Sequence, residues 1–205
     1  MDLVTPRDNY RYLVKSLAEH FKKHGFLKRG NTFHYKEHDN WLLISIQKST
    51  KSSHENIVFT INIGVVSGIL LKYYDDEDNN SIPSLEDSHL RRRLAYFIDG
   101  SDDFWWHIDD SVSISSLLEE VISALDSKTM EDIKRQITNK FLVSIWKRGL
   151  SPGLTNVQRL LCLAIMEHAN NDRASFELVK DELLCFVEGK AAEFYVKNNL
   201  RKLSW

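Results

Sequence analysis

Residues 57–66 read IVFTINIGVV. Apolar side chains recur at Ile57, Phe59, Ile61, Ile63 and Val65, a period of two that predicts a strand with one buried face. Upstream, residues 41–47 place Leu42, Ile44 and Ile46 on one face of a second strand. His38-Asp39-Asn40 reads as a turn, and residues 31–37 alternate around Phe33 and Tyr35 as the first strand of the set. Residues 48–55 form a polar loop. Three sequential strands with short connections predict an antiparallel meander. Before it, Tyr10, Leu13, Val14, Leu17 and Phe21 recur at helical spacing over residues 7–24. Gly25 is suited to the C′ position and Phe26 is the apolar residue after it. This helix is expected to pack on the meander.

Downstream the pattern changes. Residues 75–80 read as an acidic loop, 85–97 as a helix or an irregular segment, 99–103 as a turn and 104–108 as a short aromatic strand. Ser113 is an expected N-cap for a helix carrying Leu117, Leu118, Val121, Ile122 and Leu125. Met130, Ile133, Ile137 and Phe141 extend helical periodicity to about Trp146. Residues 149–153, GLSPG, are the clearest breaker. Three helical patterns follow, the second with Asp172 as its expected N-cap. The fold class is therefore α+β: an antiparallel sheet of three or four strands with packed helices, then an all-helical C-terminal part. The expected division is an α+β unit over 1–126 and a helical extension over 127–205.

The 205 residues, 42% hydrophobic and 27% charged, can bury a core without disulfides or metals to staple it. The opening MDLVTPRDNYRYLVKS lacks the basic and apolar regions of a signal peptide. No apolar run approaches the ~18 residues of a membrane span, so a soluble, cytoplasmic protein is expected. Cys162 and Cys185 each lie in an apolar helical run, which predicts two small buried hydrophobes in a reducing compartment.

Net charge is −2, but it is unevenly spread. Residues 75–126 carry 3 Lys/Arg against 14 Asp/Glu, while 1–74 carry 11 against 6 and 127–205 carry 13 against 9. The acidic middle third disfavours direct nucleic-acid binding by that segment. It suits contact with a basic partner.

An ordered set of short motifs runs through the first half. It comprises Gly25-Phe26 with Gly30, Asn31 and Phe33; Gln47-Lys48-Ser49; Phe59-Thr60 with Asn62 and Gly64; His89, Arg91, Arg93 and Leu94; and Trp105-Trp106. Each motif is weak, but five in order resemble the bacterial domain of unknown function 4304 family over roughly residues 7–126. Ala95 departs from the family's pattern, which has Gly there, so that turn is expected to differ. The resemblance implies an α+β fold and a bacterial source, and brings no established activity or named cofactor.

Three constellations carry the functional expectations. Gln47, Lys48 and Asn62 stand at the end and middle of neighbouring strands. They form either a ligand-contacting polar cluster on one sheet face or a structural network, because unpaired buried amides are costly. His89, Arg91 and Arg93 alternate, which places them on one face of an extended segment. Arginine forks match carboxylates and phosphates, whereas internal pairing with nearby acids is the plainer reading. Of Trp105 and Trp106, either both are buried or one is core and the other an exposed interface anchor. His20 and His24 are four apart on the first helix, where a solvated helix end is expected rather than a metal site.

No GxSxG, Walker, HExxH or GxGxxG motif is present. The reading leans away from an enzyme, and no catalytic residue, metal or cofactor is expected. The leading expectation is a protein-binding module of immunity or defence-accessory type. Asp75, Asp76, Asp78, Asp102, Asp103, Trp105 and Trp106 would meet a basic partner such as a toxin or nuclease. The alternatives are an enzyme or nucleotide- or anion-binding protein using Gln47, Lys48, Asn62, His89, Arg91 and Arg93, and a structural homodimer or scaffold built through the helical C-terminal part.

Overall fold

The computed structural model describes residues 5–74, 82–98, 100–101 and 103–203, with Ser127 described by its backbone alone. The expected positions Asp75, Asp76, Asp78 and Asp102 lie outside the described residues.

Helix α1 (Pro6–Lys23) begins at a capping box. The Thr5 hydroxyl accepts from the Asp8 amide while the Asp8 carboxylate accepts from the Thr5 amide. It ends as the sequence predicts: Gly25 adopts φ +86°, the Gly25 amide donates to the Lys22 carbonyl and the Phe26 amide to the Phe21 carbonyl. The chain then forms β1 (Leu27–Arg29), β2 (Thr32–Glu37), β3 (Asn40–Lys48) and β4 (Ile57–Val66), followed by α2 (Gly68–Tyr74). Next come β5 (Leu90–Arg93), α3 (Ala95–Ile98), β6 (Trp106–Ile108) and α4 (Ile114–Ala124). Ser113 caps α4 through its side chain, as expected.

The expected antiparallel sheet is present, but among the described residues it has six strands rather than three or four. The order is β1-β2-β3-β4, and the far edge of β4 is shared. Asn62–Val65 pair with β5, and Ile57–Phe59 pair with β6. The additional strands are three or four residues long, too short to show a period in sequence.

The register sorts side chains cleanly. Phe33 pairs with Ile44, and Ile44 with Ile63; Leu42 pairs with Val65 and Ile46 with Ile61. Paired residues share a face, so these side chains line one side, where α1 packs against β1, β4 and β6, and α4 packs on α1. Phe21 meets Phe33 at 4.5 Å and Tyr10 meets Phe59 at 5.9 Å between ring centroids. Burying a Leu, Ile or Phe side chain contributes about 1.5–3 kcal/mol, and this face holds several with under 2% exposure.

Beyond residue 126 the described residues are helical: α5 (Ser127–Arg135), α6 (Asn139–Lys147), α7 (Asn156–Ala169), α8 (Arg173–Val187) and α9 (Glu193–Arg201). The predicted continuous pattern up to Trp146 is interrupted at 136–138, where Thr138 caps a new helix. Asp172 caps α8, as its sequence predicts. Cys162 is buried but Cys185 is exposed, which corrects its expected burial. Helix α8 buries Phe176, Val179, Leu183 and Val187, and a side chain two positions after Leu183 falls off that stripe.

One cluster of buried side chains includes residues on both sides of position 126. Polar contacts cross it as well. Asn40 Nδ2 donates to the Ile137 carbonyl at 2.7 Å, and Tyr73 Oη to the Asn199 carbonyl at 2.6 Å. Among the described residues no helix is long and apolar enough to cross a membrane.

Candidate functional site

The second face of the sheet is polar at one end. Thr32 pairs with Ser45, Ser45 with Asn62 and Asn62 with Arg93, so four polar residues form a row across four strands. One row further along, Arg91 pairs with Gly64. At that end the segment 83–88 lies over the sheet. His34 Nε2 stands 3.3 Å from the Pro83 carbonyl oxygen. A Cβ on Gly64 would come within 2.3 Å of Ser88 Oγ and 2.8 Å of Leu85 Cδ1, so the bare backbone at 64 admits the crossing. The turn at 150–153 closes the other side. The Arg91 amide donates to the Pro152 carbonyl at 2.9 Å, and the Arg91 guanidinium to the Gly153 carbonyl at 3.1 Å.

Between these walls is a cleft of about 1090 Å³. Gln47, Asn62, Arg91 and Arg93 line it, so four of the six residues expected at a ligand site converge. Lys48 does not join them. Adjacent strand residues face opposite ways, and Lys48 follows Ile44 and Ile46 onto the helix-covered side. His89 is also displaced. It is 7% exposed, its Nδ1 accepts from the Ser67 amide at 3.1 Å, and burial pulls its pKa down to about 4. It is therefore a neutral structural acceptor near pH 7.

His89 borders a second concavity of about 570 Å³, which meets the first at Glu86, Arg91 and Gly153. Cys162 lines it, and burial pushes that thiol up to about 12. This removes the thiolate on which nucleophilic or redox chemistry would depend. Tyr74, also lining it, is raised by the same cause.

The arginines are held differently. Arg93 pairs with the Asp103 carboxylate and lies 4.6 Å from the Trp105 ring centroid, while Trp105 Nε1 donates to Asp103 Oδ1 at 2.7 Å. Asp103 and Trp105 are thus engaged with the cleft edge. Trp106 is 4% exposed, stacks on Phe59 at 5.5 Å and donates from Nε1 to Glu120 at 2.9 Å. Arg92 stacks over Tyr96 at 3.5 Å. Among the described residues no ion pair holds Arg91 or Arg92.

The family model described as Domain of unknown function (DUF4304) matches residues 17–138. The chain belongs to that family. Neither the curated proteins nor the solved structures contain a match to it. The DUF4304 segment supplies Gln47, Asn62, Arg91 and Arg93, whereas Leu150, Pro152 and Gly153 on the facing wall come from beyond it. Ala95, the departure from the family's pattern, opens α3 and is buried.

Sequence reasoning missed Thr32, Ser45, Arg92, Tyr96 and the 150–153 wall. Ser45 was within reach, because it shares a strand face with Gln47 two positions on. The wall was not, since its contact with Arg91 spans 62 residues. His20 and His24 sit with rings 4.9 Å apart. Among the described residues no third His, Cys, Asp or Glu joins such a pair to hold a metal.

Proposed function

We propose that the chain is a binding protein for a small anionic ligand, a phosphate monoester or a carboxylic acid, received in the cleft between the polar sheet face and the 150–153 turn. The observation that carries this reading is the convergence of Asn62, Gln47, Arg91 and Arg93 on one concave site. Arg91 is the anchor: it is exposed, unpaired by acid among the described residues, and fixed in direction by the Gly153 carbonyl. A planar guanidinium so held presents further N–H donors to an oxyanion in fork geometry. At about 1090 Å³ the cleft is just above the roughly 300–1,000 Å³ usual for small-molecule and cofactor sites. Glu86 at the rim adds a carboxylate that suits a ligand carrying hydroxyl or amino donors beside its anion.

Thermal unfolding in the presence of inorganic phosphate, ribose 5-phosphate or citrate tests this. A ligand at about 100 times its Kd stabilises by about 2.7 kcal/mol, a rise of several degrees in Tm. At least one of these compounds is expected to raise Tm in the intact chain and not in Arg91→Ala. The same Tm with and without all three compounds would remove the reading.

A further inference from the structure

Asn62 and Gln47 stand side by side on the open sheet face, and Asn62 Nδ2 donates to Gln47 Oε1 at 2.8 Å. Each side-chain amide has one carbonyl and one NH₂ group. Their mutual bond uses one carbonyl and one N–H. Whichever way round the two amides are oriented, a free carbonyl on one and a free NH₂ on the other remain. Ser45, in the same row, receives the Thr32 hydroxyl at 3.0 Å and keeps its own proton to donate. The cleft floor thus offers an acceptor and donors with no partner in the sheet, at residues that are half-buried or exposed.

An adjoining acceptor and donor match the edge of a nucleobase, where an amino or oxo group neighbours a ring nitrogen. Asn and Gln are the side chains that read such edges elsewhere. Arg91 lies one strand over and two residues along from Asn62 in register. That separation is roughly 8 Å between backbones from strand spacing and rise, comparable to the span from a base to its 5′-phosphate. Tyr96, a residue 38% exposed and backed by Arg92, provides an aromatic wall for the base or sugar.

Resting on the anion reading above, we infer that the ligand is a mononucleotide, with the Gln47–Asn62 amide pair facing the base edge and Arg91 the 5′-phosphate.

Calorimetric titration of the full chain with the four common nucleoside 5′-monophosphates and with ribose 5-phosphate decides it. One nucleotide is expected to bind at least tenfold more tightly than ribose 5-phosphate. Asn62→Ala and, separately, Gln47→Ala should each weaken that nucleotide at least tenfold and ribose 5-phosphate by a smaller factor, so that the gap between the two ligands narrows. Arg91→Ala should weaken both ligands at least tenfold. Gln47 is exposed, so its variant keeps the fold even if the Asn62 variant does not. Equal affinity for ribose 5-phosphate and every nucleotide would overturn the nucleotide assignment and leave anion binding standing. Nucleotide affinity untouched by either amide variant would also overturn it. No binding of either ligand class would remove both readings.

Discussion

At the residue scale, Arg91 and Gly64 carry the most specific consequences. Arg91 joins an exposed guanidinium to the backbone of the facing turn. Its loss is expected to weaken anion binding by about 10- to 150-fold, the range for a charged hydrogen bond of about 1.5–3 kcal/mol. Arg91→Lys should recover the charge but not the fork, giving intermediate affinity by calorimetry. At Gly64, a methyl group has no room beneath Ser88 and Leu85. Gly64→Ala is expected to cost about 1–3 kcal/mol in denaturant unfolding, and a cost below ~0.5 kcal/mol would show that segment 83–88 yields freely. His89 sets a pH dependence. Burial holds its folded pKa at about 4, below the ordinary histidine value of 6.5. The unfolded chain therefore binds a proton that the native state refuses as pH falls through that window. Stability from this group is full above about 6.5 and declines by about 3 kcal/mol towards pH 4. Burial also lowers His20 and His34 in the same direction. Urea unfolding between pH 7 and 4 should show the decline, and His89→Gln should flatten it. The site was half legible at this scale. Asn62, Gln47, Arg91 and Arg93 stand out as polar residues in apolar or acidic surroundings. That Lys48 and His89 part from them depends on strand parity and on a backbone partner, the Ser67 amide, which residue type does not reveal.

At the element scale, the β2–β3 turn acts as a junction. Asn40 Nδ2 donates to the Ile137 carbonyl at 2.7 Å and to Asn139 Oδ1 at 3.1 Å, while its Oδ1 accepts from the Gly68 amide at 3.0 Å. One side chain thus fixes the start of α2 and the gap between α5 and α6. Asn40→Ala would leave a buried carbonyl and amide unpaired, each worth about 1–3 kcal/mol. A loss of about 2–4 kcal/mol in chemical denaturation is expected. The long strands and α1 were legible because their apolar periods run for many residues and their ends carry recognisable caps. Strand β6 was legible as the short aromatic strand expected over 104–108, whereas β1 and β5 were hidden, since three and four residues carry no period and β5 is defined by the stretch of β4 beside it. The break between α5 and α6 was masked because apolar residues at 133, 137 and 141 keep helical spacing across it.

At the scale of the whole molecule, the cleft needs both halves of the chain. The DUF4304 segment forms its floor, and the 150–153 turn forms a wall. The same halves share one buried cluster, so a chain ending at residue 138 is expected to lose cooperative unfolding and the ligand-induced rise in Tm together. The acidic charge of the middle third was plain in composition, yet Asp103 is engaged by Arg93 and Trp105, a pairing that composition does not disclose. The central claim is that an anion binds between the polar sheet row and the 150–153 turn. Its most direct test is a titration of the isotope-labelled chain with ribose 5-phosphate followed by amide and side-chain NMR. The account predicts saturable shifts at Gln47, Asn62, Arg91 and Gly153, absent in Arg91→Ala. Shifts confined to other surfaces, or none at all, would contradict it.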